Sequence, residues 1–300
     1  MTLIVARVTP RGVWLTSDMR ITDASAAIAP GFLGAALKVI LISPTLCIGY
    51  AGSVGAALTA IERVDAESMT VSAAIEFLGG VHRANSSTEF IVAGLRPPLL
   101  VEIKNGRTEH REAAWIGDPG SYNRYQALYH GDHFLAPGAD LDAMYKADLD
   151  IAVAMNDAMQ ELVIANGELD GPGFSDALVG EASVTVGPNT PDGAFSYHVY
   201  STYIGPFAYS SPTCGPLPST ERGTLTLSFM APEEPGVGAI GLYFREGQFG
   251  LIYAPLMTER ADRPGRIQAA NATEFVARVK VRYGITLRGV DDWGPFQSSE

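Results

Sequence analysis

Residues 1–23 read MTLIVARVTPRGVWLTSDMRITD. Two β-branched, apolar runs, TLIVARVT (2–9) and GVWLTSDMRI (12–21), flank Pro10-Arg11-Gly12, which supplies a turn, so the stretch predicts a β-hairpin. Folding back at that turn brings Thr2, near the start of the first strand, toward Asp18, a lone carboxylate in an otherwise apolar strand. A threonine in second position becomes the first residue once Met1 is removed.

Outward from the hairpin, a small-residue loop (23–37) leads to two further strands, KVILIS (38–43) and LCIGYAG (46–52), joined at Ser43-Pro44-Thr45. Ser53 is placed to cap an amphipathic helix carrying Val54, Leu58 and Ile61 on one face. A second helix is predicted near 70–82, where Val71, Ala74, Ile75 and Leu78 keep helical spacing. Strands follow at EFIVAGL (89–95), at LLVEIKNG (99–106) with its Asn-Gly turn, and around AAWIG (113–117). Leu141, Met144, Ile151, Met155 and Leu162 form the stripe of one long helix over 139–165, ended by Gly167 and Gly171-Pro172-Gly173. Strands return at 181–187 and 194–204.

Strands, helices, strands, helix and strands in that order predict an α+β class, with helices on the faces of antiparallel sheets and no βαβ alternation. A link rich in Pro, Ser and Thr (SSPTCGPLPST, 210–220) separates residues 1–209 from a segment 210–300. That segment has strands in GTLTLSFM (223–230) and AIGLYFREGQFGLIYA (239–254) and a helix around 272–283. It reads as a β-rich extension of the same domain or as a small second one.

Composition narrows the function classes. The chain has 300 residues, 47% apolar and 18% charged, enough to bury a core. A net charge of -12, with scattered Lys and Arg, argues against a nucleic-acid partner. Cys47 and Cys214 are the only cysteines, which suits a reducing compartment and offers neither a disulfide framework nor a zinc pattern. No charged n-region precedes an apolar h-region, and no apolar run reaches about 18 residues, so a cytoplasmic protein without membrane contact is expected.

The chemistry returns to Thr2. A threonine hydroxyl is a poor nucleophile without a nearby base. On a first residue the α-amine can serve, because it titrates near pH ~8 and is partly unprotonated at neutrality. Such a site also needs a cation to tune the amine, a carboxylate to hold that cation, and backbone N–H donors for the tetrahedral oxyanion. Lys38, Asp18 and the turn Gly49-Tyr50-Ala51-Gly52-Ser53 are the candidates for those three roles.

These residues carry a resemblance. Thr2, GVWLTSDMRIT with Asp18 and Arg20, Lys38 at the head of a strand, and YAGS before a helix together resemble the N-terminal half of proteasome β-type subunits and their bacterial relatives, N-terminal-nucleophile hydrolases. The resemblance implies a four-layer αββα sandwich. It also implies that Thr2 is the nucleophile, that Asp18 and Lys38 form the charged pair behind it, and that Gly52 gives its N–H to the oxyanion. Arg20, Thr22, Tyr50 and Ser53 fall on the substrate-binding side, with Tyr50 at the pocket wall.

Downstream the pattern departs from the family. Gly117-Asp118-Pro119-Gly120-Ser121 places Asp118 where a supporting serine stands, leaving Asp118 or Ser121 to supply that support. Asp176-Ala177-Leu178-Val179-Gly180 keeps the family carboxylate at Asp176 and replaces a second serine by Val179. The resemblance covers residues 2–204, with its specific motifs in the first 65.

Amide hydrolysis of a peptide, without cofactor or metal, is thus the expected activity, and a homo-oligomeric ring or dimer the expected assembly. The sequence does not reveal an ATPase partner. Two alternatives remain: a catalytically silent scaffold or assembly protein, and a small-molecule amidase or acylase on the same fold. Other chemistry finds little support. His82, His110, His130, His133 and His198 lack metal-ligand spacing. EPGVGAIG (234–241) lacks the setting of a phosphate loop, and no G-x-S-x-G elbow is present.

Overall fold

The hairpin forms as its apolar runs demand. In the computed structural model, strand β1 (Leu3–Thr9) pairs antiparallel with β2 (Gly12–Asp18), from Thr9 opposite Gly12 to Ile4 opposite Ser17. The structure describes residues 2–10, 12–19, 36–130, 154–159, 161–162, 182–189, 193–202, 210–211, 215–216, 227–245, 247–257 and 264–289. Strand β2 ends at Asp18, and residues 20 and 21 of the predicted strand lie outside this set.

The chain continues through β3 (Val39–Ser43), β4 (Leu46–Ala51), helices α1 (Val54–Ala66) and α2 (Val71–Ala84), and strands β5 (Glu89–Leu95), β6 (Pro98–Lys104), β7 (Arg107–His110) and β8 (Ala113–Gly117). Helix α3 (Pro119–Tyr129) follows, then helical residues at 154–159 and 161–162, then β9 (Ala182–Asn189) and β10 (Ala194–Thr202). The remainder comprises the short pair β11 (Ser210–Ser211) and β12 (Gly215–Pro216), then β13 (Leu227–Pro232), β14 (Ile240–Phe244), β15 (Phe249–Tyr253), β16 (Gly265–Gln268), helix α4 (Ala272–Tyr283) and β17 (Leu287–Gly289). The fold is mixed α+β, and the described residues form three five-stranded antiparallel sheets ordered β10-β9-β2-β1-β8, β3-β4-β5-β6-β7 and β16-β15-β14-β13-β17.

Side chains alternate along each strand, and here both faces are apolar. On β1, Ile4 and Ala6 join Val39, Cys47, Ile91 and Leu100 of the second sheet in one buried cluster. Leu3 and Val5 point the other way, toward Tyr125 and Tyr129 of α3 and helical Met155, Met159 and Leu162. On the second sheet, Leu46, Ile48, Val92 and Val101 pack against Leu58 and Ile61 of α1 and Ala74 and Leu78 of α2. The two sheets therefore share a core, and each carries helices on its far face. Residues 139–153, 160 and 163–165 of the expected long helix lie outside the described set.

Beyond residue 227 the third sheet contributes Ile240, Leu242, Phe249 and Leu251 to the cluster shared by the first two sheets. Its other face is covered by Phe275 and Val279 of α4. The Tyr197 hydroxyl donates to the Val39 carbonyl at 2.9 Å, and the Phe195 N–H to the Pro44 carbonyl at 2.7 Å, tying β10 to the β3 edge.

Besides the two-residue strands β11 and β12, four described elements escaped the hydrophobic pattern: β7, α3, β16 (GRIQ) and β17. Strand β7 (RTEH) is almost wholly polar and follows a turn in which Asn105 and Gly106 both have positive φ, the hairpin signature of Asn-Gly. Helix α3 buries only Ser121, Tyr125 and Tyr129, a stripe of single residues every fourth position. Strand β17, LRG, is too short to show a period.

Candidate active site

Asp18 ends β2 beside the start of β1, and both its oxygens are engaged. Oδ1 accepts the Leu3 N–H at 2.7 Å and Oδ2 accepts the Lys38 ammonium at 2.6 Å. Lys38 is 1% exposed and Asp18 7%. A buried ammonium persists only with a well-placed counter-charge, which Asp18 supplies. The Lys38 backbone is pinned as well, its carbonyl accepting the Tyr50 N–H at 3.0 Å, and Ala36 N–H bonds the Met19 carbonyl at 2.9 Å.

Thr2 lies just ahead of β1 and is half-buried. Its carbonyl accepts the Asp118 N–H at 2.8 Å, and its neighbour Leu3 pairs with Gly117. Gly117 has φ +104°, and a Cβ there would sit 1.9 Å from the Thr2 carbonyl oxygen, so only glycine lets β8 pass so close. Gly52 meets the same constraint at the end of β4. Its φ is +90°, and a Cβ would lie 1.7 Å from the Ser87 carbonyl oxygen. A cavity of about 560 Å³ opens where these turns converge, lined by Thr2, Lys38, Gly52, Glu89, Gly117 and Asp118 among others.

The residues singled out in the sequence divide as follows. Thr2, Lys38, Tyr50, Gly52, Ser53 and Asp118 line this cavity, and Asp18 stands behind Lys38. Tyr50 turns its ring into the cluster under α1 and α2 and is 1% exposed, so it forms wall, not surface. Ser53 holds the N-cap position of α1 but makes no side-chain capping bond, a correction to the expected cap; the residue borders the cavity instead. Asp118 caps α3, its Oδ2 accepting the N–H of buried Ser121 at 2.6 Å. Arg20, Thr22, Asp176 and Val179 lie outside the described residues.

Glu89 was missed by sequence reasoning. It opens β5, its side chain is 17% exposed, and its Oε2 accepts the Gly117 N–H at 2.9 Å. Lys104 approaches the same oxygen at 3.8 Å while lying 3.1 Å from the centroid of the Trp115 ring. Burial lowers the Lys104 pKa, opposed by the carboxylates of Glu89 and Glu102. A weaker signal was available: Glu89 is a lone carboxylate at the first residue of an apolar strand, as Asp18 is one in the apolar run of β2.

Other reactive groups are occupied or inaccessible. Gly106 N–H donates to His82 Nε2 at 2.8 Å, so Nδ1 carries the proton it shares with the Thr88 carbonyl at 2.7 Å. Burial pushes the Cys47 thiol far above its ordinary value. Among the described residues no group of three or more His, Cys, Asp or Glu side chains is placed to hold a metal ion, and no helix is long and apolar enough to cross a membrane. In comparison with known proteins, no family model and no curated protein matches the chain.

Proposed function

We propose that the chain is a threonine-type N-terminal-nucleophile hydrolase of proteasome-like kind, built as a four-layer αββα sandwich and cleaving amide bonds once Met1 is removed. One observation carries the reading: a buried Asp18–Lys38 pair binds the N–H of Leu3, next to Thr2, and both Thr2 and Lys38 face a cavity that Gly52 also borders. Helices on the outer faces of two sheets that share a core support the layering.

In this mechanism the Thr2 hydroxyl oxygen bonds to the amide carbonyl carbon while its proton passes to the Thr2 α-amine. Lys38, held by Asp18, favours the unprotonated amine. The Gly52 N–H stabilises the oxyanion. The C–N bond then breaks, the leaving amine takes the proton, and water hydrolyses the Thr2 ester. The substrate is a peptide lying extended beside residues 48–52, and the protein assembles as a homo-oligomer, ring or dimer, within the cytoplasm.

Intact mass before and after treatment with a threonine-directed β-lactone or epoxyketone tests this. The expected result is a chain lacking Met1 that takes up a single adduct, absent from Thr2→Ala. Retained methionine with no adduct would sink the enzyme reading. It would favour a catalytically silent scaffold, a reading supported by Asp118, which stands in the place of a supporting serine and commits Oδ2 to capping α3.

A further inference from the structure

The proposed chemistry needs two sheets to hold a common register. Thr2 belongs to the sheet of β1 and β8, whereas Gly52 and Lys38 belong to the sheet of β3, β4 and β5. A shift of about 1 Å between nucleophile and oxyanion donor can slow a reaction a hundredfold. One tie across the sheets is Lys38 to Asp18. Tyr197 to Val39, Phe195 to Pro44 and the Trp115 N–H to Glu102 Oε2 at 3.3 Å also join these sheets, and Glu89 makes the tie between Gly117 and the strand beside Gly52.

Glu89 occupies a singular position between the two halves of the site. Through its backbone it pairs with Ala51, the residue before Gly52, while the Ser87 carbonyl two residues back occupies the space that a Gly52 side chain would need. Through its side chain it takes the Gly117 N–H of the other sheet at 2.9 Å. Gly117 in turn pairs with Leu3 and packs against the Thr2 carbonyl, and the next N–H, of Asp118, bonds that carbonyl at 2.8 Å. The path from Gly52 to Thr2 therefore runs Ala51, Glu89, Gly117, crossing between the sheets at the side-chain hydrogen bond of Glu89. Lys104, braced on Trp115, backs the carboxylate at 3.8 Å.

We infer that Glu89 is a positioning residue: its bond to the Gly117 N–H sets the placement of Thr2 against Gly52. The inference rests on the proposed nucleophilic role of Thr2 but makes a structural claim that can be read without activity. What matters is the acceptor oxygen, so an amide can replace the carboxylate. Glu89→Ala removes the oxygen and Glu89→Gln keeps it.

Two measurements on the full chain decide the matter, with denaturation midpoints recorded to confirm folding. In amide hydrogen exchange, Gly117 is expected to exchange about tenfold faster in Glu89→Ala, the loss of one hydrogen bond, and close to the wild-type rate in Glu89→Gln. In β-lactone labelling of Thr2, Glu89→Ala is expected to lower the maximal labelling rate by about tenfold or more, with the half-saturating concentration unchanged and Glu89→Gln restoring the rate. Unchanged Gly117 exchange in Glu89→Ala overturns the inference. Faster exchange with an undiminished labelling rate overturns it too, by showing a tie that positions nothing. A wild type that takes no label refutes the hydrolase reading instead, and the exchange rates then decide whether Glu89 joins the sheets. Slow labelling in both variants would mean that the charge, not the hydrogen bond, matters, and would also overturn it.

Discussion

Two lysine–carboxylate pairs flank the cavity, and they are built differently. Lys38 meets Asp18 at 2.6 Å, and the second Asp18 oxygen is fixed by the Leu3 N–H. Lys104 stands 3.8 Å from Glu89, rests on the Trp115 ring, and also feels Glu102. In the first pair the charge is locked by geometry beside the proposed nucleophile. In the second it is spread over two carboxylates and an aromatic face, and the carboxylate keeps its best hydrogen bond for a backbone N–H. The contrast separates two uses of a buried lysine: a fixed charge inside the site, and a brace behind a residue that joins the sheets.

The largest expected effect comes from breaking the tight pair. Lys38→Met leaves Asp18 buried without its cation, which should lower unfolding free energy by about 3–5 kcal/mol in urea denaturation. Asp18→Asn with Lys38→Met removes both charges together, and the double variant should recover most of that loss. The measured coupling between the two positions then reports the pair itself. A single-variant loss below ~1 kcal/mol would place the pair among solvated surface bridges and erase its contrast with Lys104.

How much of this was legible beforehand depends on where each charge sits in its apolar run. Asp18 interrupts the strand GVWLTSD and Lys38 precedes VILIS, so both stood out against their neighbours, and the hairpin turn at 10–12 brought Thr2 toward Asp18. Glu89 carries the same kind of signal, but at the first residue of EFIVAGL it passes for a solvated strand end. Only its bond to Gly117, on another sheet, gives it meaning. Helix α3 was missed although Asp118 followed by Pro119 is a helix start: an N-cap carboxylate and a proline in the first turn. Its stripe of single buried residues was too thin to read as an amphipathic face. The sheet orders lay beyond local patterns altogether, since β8 pairing with β1 and β17 with β13 join residues far apart in the chain.

The loose pair can be tested through its pH response. Burial lowers the Lys104 pKa below its ordinary 10.5. Between the folded value and 10.5 the unfolded chain binds more protons, so this group makes stability rise with pH across that alkaline window. Lys104→Met lacks that contribution. The stability of wild type relative to Lys104→Met should therefore increase from pH 8 toward pH ~10 in urea titrations. The opposite slope would mean that Glu89 and Glu102 outweigh burial, making Lys104 a fixed charge like Lys38 and dissolving the distinction.

The smallest effect comes from a third pair, which shows that distance alone does not grade these contacts. Arg63 Nε meets Oε1 of Glu67, the C-cap of α1, at 2.7 Å, close to the Lys38–Asp18 separation, yet the two side chains are 61% and 49% exposed. Water solvates both charges whether or not they meet, and holding two long side chains together opposes the small Coulomb gain. The Arg63 guanidinium also lies 4.9 Å from the centroid of the Phe77 ring, which is half-buried against the cluster under α1 and α2. Arg63→Ala should lower stability by no more than about 0.5 kcal/mol, and the difference should fade in high salt. A salt-insensitive loss above ~1 kcal/mol would show that α1 depends on this contact, and burial would no longer rank the three pairs.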